Sequence, residues 1–275
     1  MNKSRAATWQ TGRSATAVRP AAFAASAAKP RLIAGFLILL IWEGMARGFA
    51  PGYLAKPSGI LLAVPKVMTD PTFMGATAST LQAVVEGLAI ATVFGILIGL
   101  LLGRSVLADR LLSHYINGLY AVPMIVILPV VTLWFGYSSA ARLATIVFAA
   151  LFSIIINVAD GARGVPGEFL EVARSFRSGR ITALIEVVIP SATPYFLAGL
   201  RLAVGRALIG AVVAEFFIAI GGLGYFILYN SRTYHQDEAF VGVLLLAAFG
   251  LGFDALLNWS TQRMLPWYRR DSGIE

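Results

Sequence analysis

From Leu81 to Gly103 the chain carries one ionisable residue, Glu86, in a run of Leu, Ile, Val, Ala and Gly. A bilayer core is crossed by roughly 20 consecutive apolar residues, so this run reads as a membrane span. Comparable stretches at Leu32–Met45, Ile116–Phe135, Leu143–Ile156, Tyr195–Ile218 and Phe240–Leu257 bring the expected count to six, the first and fourth being short. Only 13% of the residues are charged, about half the share of a soluble domain. Lipid is therefore the expected solvent, and the expected class is an all-α membrane protein.

The ends are different in character. Residues 1–31 are rich in Ala, Ser, Arg and Lys without a periodic apolar face, and read as a disordered basic tail. The small-residue stretch AAFAASAA precedes the first apolar run, whereas a cleavage site would follow it, so that run reads as an uncleaved span. The expected membrane domain is 32–260, followed by a C-terminal tail, 261–275. Of the 22 Lys and Arg, 15 fall in the two tails and the loops after the second and fourth spans, 5 in the three opposite loops (Arg47, Lys56, Lys66, Arg142 and Arg232), and Arg201 and Arg206 within the fifth span. The positive-inside rule then puts both termini and the two basic loops in the cytoplasm. One opposite loop contains LAKPSGILLAVPKVM, where Pro57 opens either a short amphipathic helix at the outer interface or a plain connector.

Several chemistries are excluded or disfavoured. With no cysteine there is neither a disulfide nor a thiolate metal site, and His114 and His235 are isolated. No G-x-x-x-x-G-K-[ST] phosphate loop occurs, and none of the lysines follows a glycine, so ATP is not cradled here by that device. Catalysis needs clustered acid, base or nucleophile groups, and the acids are scattered. No cofactor, metal or nucleic acid is expected on this chain.

The loop after the fourth span, 161–194, contains EVARSFRSGRITALIEVVIPSATP, with Arg174, Arg177 and Arg180 close together. Pro166 and Gly167 punctuate the chain, and Glu168 suits the first turn of a helix. Phe169, Leu170, Ala173 and Phe176 then share one face, opposite Glu168, Glu171, Arg174, Ser175 and Ser178. Ser178-Gly179 reads as a turn, and a second helix from Arg180 to Ile189 ends at Pro190. Residues of this kind form either an amphipathic helix lying on headgroups or a docking knob for a cytoplasmic partner.

The stretch resembles the EAA loop of ABC-importer permeases. Glu171 matches the family's glutamate, Ala173 its second alanine and Pro190 its closing proline. Val172 replaces the first alanine and Arg177 the family's glycine, leaving the turn to Gly179. WEGMARGFAPGYLAKPSGIL, AVPMIVILPVVTLWFGYS, GLRLAVGRALIGAVVAEFF and GGLGYFI extend the resemblance over about 40–270, and are similar to the nitrate, sulfonate and taurine branch. The resemblance implies the type I importer permease fold with six spans. It also implies a cytoplasmic coupling helix carrying Glu171, Ala173, Arg174, Phe176, Arg177, Gly179 and Pro190. Its implied partners are two ATP-binding subunits, which use the ATP, a second permease copy as a homodimer or a close homologue, and a periplasmic or lipid-anchored solute-binding protein. The setting is the bacterial inner membrane. The implied cargo is a small anion such as nitrate, taurine or another alkyl sulfonate, with a neutral or cationic vitamin precursor as the alternative.

Within the fifth span, Glu215, Arg201 and Arg206 are candidates for the solute pathway, because ionisable groups at membrane depth are expensive. The competing role is to pair with neighbouring helices and hold the bundle. Arg206 and Glu215 are half a turn out of phase and roughly 13 Å apart along a helix axis, so any partner comes from another helix or chain. Pro123 and Pro129 are expected to put a static kink in the third span, with a gating bend as the alternative, and Gly95, Gly99 and Gly103 to permit close packing. Trp134, Trp259 and Trp267 read as interfacial anchors. A secondary transporter would need matched, interrupted helices with paired polar groups, which the sequence lacks.

Overall fold

The computed structural model describes residues 20–49 and 52–264. Residues 1–19 of the expected tail, and Trp267, Arg269 and Arg270 of the C-terminal one, lie outside the described residues. Among the described residues there is no strand. The chain divides into two units, Met1–Pro51 and Gly52–Glu275.

The first unit contributes α1 (Pro20–Gly48). It begins within the segment expected to be irregular and carries the apolar run Leu32–Met45. From Leu32 to Ile41 each large apolar side chain is exposed. Glu43 pairs with Arg47 on the same helix.

The second unit runs α2 (Pro57–Met68), α3 (Pro71–Arg104), α4 (Val106–Ala121), α5 (Met124–Phe135), α6 (Ser139–Arg163), α7 (Gly167–Ser175), α8 (Arg180–Ala183), a π-helical turn at Leu184–Val188, α9 (Ile189–Ile218), α10 (Leu223–Arg232) and α11 (Gln236–Met264). Four described helices are long and apolar enough to cross a membrane: α3, α6, the continuous Arg180–Ile218 helix and α11. A fifth is added if α4 and α5 form one span. Four or five of the six expected spans thus meet that standard by length and composition among the described residues, and α1 is not among them.

The third expected span is corrected. It is not a kinked rod: α4 and α5 meet at 103°. Val122 has ψ 126° and Pro123 ψ 129°. At Val122 this is the extended backbone that a residue before proline is pushed towards. Pro129 lies inside α5 without ending it. Both prolines were expected to act alike, but Pro123 sits ahead of the first turn of α5, where a helix has no use for its missing N–H.

α6 is the centre of the bundle, packed between α3 and α9. More than half of its apolar window is buried, 56%, against 11% for α11. Two glycine faces make this possible. A Cβ on Gly95, Gly99 or Gly103 would come within 2.5–2.7 Å of Ile154, Val158 or Ala162 of α6, and one on Gly199 or Gly210 of α9 within 2.7–2.9 Å of Asn157 or Ala149. Such approach gains dispersion contact where lipid supplies no hydrophobic drive. The core they enclose includes Val84, Ala91, Ile146, Ile154, Ala203 and Ala207.

The segment at Pro57 is a helix, and α11 holds it. Asp237 accepts from the Lys56 backbone N–H at 2.8 Å, and Lys66 pairs with Glu238 at 2.7 Å.

Candidate functional site

Two sites stand at opposite ends of α6. At its C-terminal end the chain leaves the bundle as α7 and returns through α8. Leu170 packs beside Ala162, Val165 and Val188, and Ala173 is buried. The rest of the expected apolar face has no such seat. Phe169 is 54% and Phe176 81% exposed, and Val172 between them, outside the expected face, is 55% exposed. They line a groove of about 450 Å³ with Ala173, Glu186 and Pro190. The face is therefore divided: Leu170 and Ala173 fasten α7 to its own chain, and the aromatic residues point away. Glu171 is exposed, and among the described residues its carboxylate has no partner. On the other side of α7, Arg104, Arg174 and Arg180 line a second cavity that contains no carboxylate.

The end of α7 corrects the expected turn. The Ser178 N–H donates to the Ala173 carbonyl at 3.0 Å and the Arg177 N–H to the Arg174 carbonyl at 2.8 Å. These are the two bonds of a Schellman cap, which places the residue between them in the left-handed region. That residue is Arg177, at φ 54°. Gly179, expected to make the turn, is extended at φ −65°, ψ 162°, a conformation open to any residue. Arg177 thus holds the glycine-like backbone itself. The second helix does not end at Pro190 either. The turn at Leu184–Val188 widens to π geometry just ahead of Pro190, and the helix continues into α9. A π-turn accommodates a local break in the usual ladder, which Pro190 requires because it cannot donate to the carbonyl of Glu186.

At the other end of α6, Glu215 is fully buried. Its Oε1 accepts from Thr80 Oγ1 at 2.8 Å and from the Arg142 guanidinium at 3.1 Å, and its Oε2 accepts from the Gly224 N–H at 2.7 Å. Thr80 Oγ1 in turn accepts from the Leu223 N–H at 2.7 Å. Arg142 also reaches Ser79 Oγ and the Gly221 carbonyl, at 3.1 and 3.3 Å. Glu215 therefore ties α3, α6 and the α9–α10 reversal together, and no part of it is open to a solute. GGLG belongs to this knot: a Cβ on Gly222 would lie 2.2 Å from Glu215 Oε1 and one on Gly224 2.9 Å from Oε2.

Arg142 and Thr80 escaped the reading of the sequence. Arg142 was counted among loop residues, yet it lies in the first turn of α6 and is only 8% exposed. The signal was present in Glu215, a buried acid that demands a cation from another helix. Arg201 pairs with Asp254 of α11 at 2.9 Å and also donates to Asn258. Arg206 lies over the ring of Tyr120, 3.9 Å from its centroid. The three charges of the fifth span are thus separated rather than gathered into one site.

Comparison with known proteins places this geometry. Residues 91–269 match the family described as binding-protein-dependent transport system inner membrane component. The nitrate import permease of Leptolyngbya laminosa is 29% identical, over 86% of this chain and 88% of that protein. The formylaminopyrimidine transport permease of Halalkalibacterium halodurans is 30% identical, over 85% and 94%. A chain from the crystal structure of an amino acid ABC transporter with histidines superposes with a TM-score of 0.61 at 22% identity, covering 74% of this chain and 97% of that one. At that identity the likeness speaks for the fold.

Proposed function

The chain belongs to the binding-protein-dependent transport system inner membrane component family, and from that premise we propose that α7 is the joint through which ATP-hydrolysing subunits drive it. It is a multi-pass ABC-importer permease of the type I fold. The observation that carries the joint is the divided face of α7: one side is fixed to the bundle, Phe169, Val172 and Phe176 are exposed, and among the described residues the Glu171 carboxylate has no partner.

The motor is a pair of separate ATP-binding subunits. When they close, the α7 helices of two permease copies move together and the pathway turns outward. The permease contributes contacts that differ between the two states. Six spans per chain are few to enclose a gated pathway, which is why a second copy, as a homodimer or a close homologue, faces the first. A solute-binding protein delivers cargo on the side opposite α7. The charge bias of the sequence puts α7 and both termini in the cytoplasm.

The test is ATP-dependent uptake by the chain reconstituted with its ATP-binding subunits and binding protein. Glu171→Ala is expected to remove a docking contact worth about 1–3 kcal/mol, lowering co-purification of the ATP-binding subunits or uncoupling hydrolysis from uptake. Ser178→Cys reports the side: the chain has no other cysteine, so labelling by an impermeant reagent added to intact cells would overturn the cytoplasmic assignment.

A further inference from the structure

Three arginines at the Arg163 end of the bundle converge on one cavity. Arg104, Arg174 and Arg180 line a space of about 680 Å³, and among the described residues none of the three guanidiniums has an ion pair or a hydrogen-bond partner. No carboxylate is in its walls, and Glu186 lines the aromatic groove instead. Like charges around one space repel unless an anion joins them. The level of the cavity identifies the source of that anion. Arg104 is the last residue of one apolar span and Arg180 the first of another, and a span ends where hydrocarbon gives way to headgroups. Below both arginines the surface is apolar and uncovered. Leu97 and Leu101 share the Arg104 face of α3 at helical spacing, Ile181 and Ile185 follow Arg180, and all four are exposed.

We propose that this cavity seats the phosphate of an anionic phospholipid of the phosphatidylglycerol type, its acyl chains running down the Leu97–Leu101 and Ile181–Ile185 tracks. Guanidinium forks match phosphate oxygens, and basic pockets between membrane helices on the cytoplasmic side hold such headgroups. Three cations around one phosphate select a lipid without an ammonium group, since choline or ethanolamine would add a fourth positive charge. The volume is that of roughly twenty waters at about 30 Å³ each, enough for a glycerophosphate group. A free phosphate or a nucleotide would leave the apolar tracks unused. The bound phosphate joins the end of α3 to α7 and α8, between which the described residues make no ion pair. Such a lipid site is separate from the coupling and transport roles proposed above, and fills without ATP or cargo.

The absence of native cysteine makes the test direct. Ile181→Cys, at the cavity wall, is given a bimane fluorophore and placed in phosphatidylcholine vesicles, as the chain alone and as the assembled transporter. Brominated phosphatidylglycerol is expected to quench it with an apparent affinity at least about fivefold above that of brominated phosphatidylcholine, the contribution of one arginine near a headgroup. Arg104→Gln should lower that preference by about the same factor, and Arg104→Lys should keep most of it. Arg110→Gln, which removes the same charge outside the cavity, should leave the preference unchanged. Equal quenching by the two lipids, or a preference unaltered by Arg104→Gln, overturns the site. A preference erased by millimolar inorganic phosphate or ATP, at an ionic strength held constant with chloride, gives the cavity to a dissolved anion. A preference present in the chain alone and absent from the assembled transporter gives it to acidic groups of the ATP-binding subunits. Either result overturns the lipid. Failure of the chain to assemble with ATP-binding subunits would count against the permease role alone, since the lipid preference is also read without them.

Discussion

The two ends of α6 handle polar groups in opposite ways. At the Arg142 end, a carboxylate is withdrawn completely from solvent and spends its oxygens on a guanidinium, a hydroxyl and a backbone amide. At the Arg163 end, Glu171, Arg174 and Arg180 remain exposed, and two phenylalanines stand beside them without a core to enter. A closed polar knot serves one chain and can be judged by stability. An open, mixed surface gains nothing for its own chain, so its value has to be measured against a partner. The same helix thus carries an anchor at one end and, on the function proposed above, a joint at the other.

The largest expected effect breaks the anchor. Glu215→Ala or Arg142→Ala leaves one buried charge alone and is expected to lower stability by about 3–5 kcal/mol, read as the thermal unfolding of the detergent-purified chain. Replacing both, as Arg142→Met with Glu215→Leu, should recover most of that loss, since a buried pair exchanged for apolar groups is often close to neutral. Unchanged unfolding in both single variants would mean that the knot is not an anchor.

A smaller effect sharpens the location of the knot. Gly222→Ala drives a methyl into the Glu215 carboxylate and should cost about 1–3 kcal/mol. Gly221→Ala, whose new methyl meets nothing within 4 Å, should be close to neutral in the same unfolding assay. Equal behaviour of the two glycines would separate GGLG from Glu215.

The smallest effect belongs to the open end. A non-glycine residue in the left-handed region costs roughly 1–2 kcal/mol, so Arg177→Gly is expected to stabilise the α7 cap by about 1 kcal/mol and Arg177→Val to destabilise it. Gly179→Ala should be neutral. Proteolysis of the α7–α8 loop reads both, and a larger loss for Gly179→Ala than for Arg177→Val would restore Gly179 as the turn.

Long apolar runs made α3, α6, α9 and α11 legible, because their length and composition are local properties. The third span was not legible, since Pro123 and Pro129 are chemically identical and differ only in where α5 begins. Arg142 reads as a loop residue in any count of charges along the chain, for its burial is decided by Glu215, which is 73 residues away. The amphipathic face of α7 was readable at helical spacing, but its division into an inward Leu170 and Ala173 and an outward Phe169 and Phe176 depends on where Val165 and Val188 come to lie. The closing role expected of Pro190 failed for a similar reason, since the π-turn ahead of it lets the helix continue.

The central claim is that the open end is a joint for a motor. Phe169→Ser together with Phe176→Ser, expressed at membrane levels matched to the native chain, tests it by the amount of ATP-binding subunit that co-purifies. Both side chains are exposed, so unfolding should shift by no more than about 0.5 kcal/mol. Each aromatic side chain buried on a partner is worth roughly 1.5–3 kcal/mol, and the account predicts at least a tenfold loss of co-purified subunit with uptake falling in step. Native amounts of bound subunit and native uptake in the double variant would contradict it.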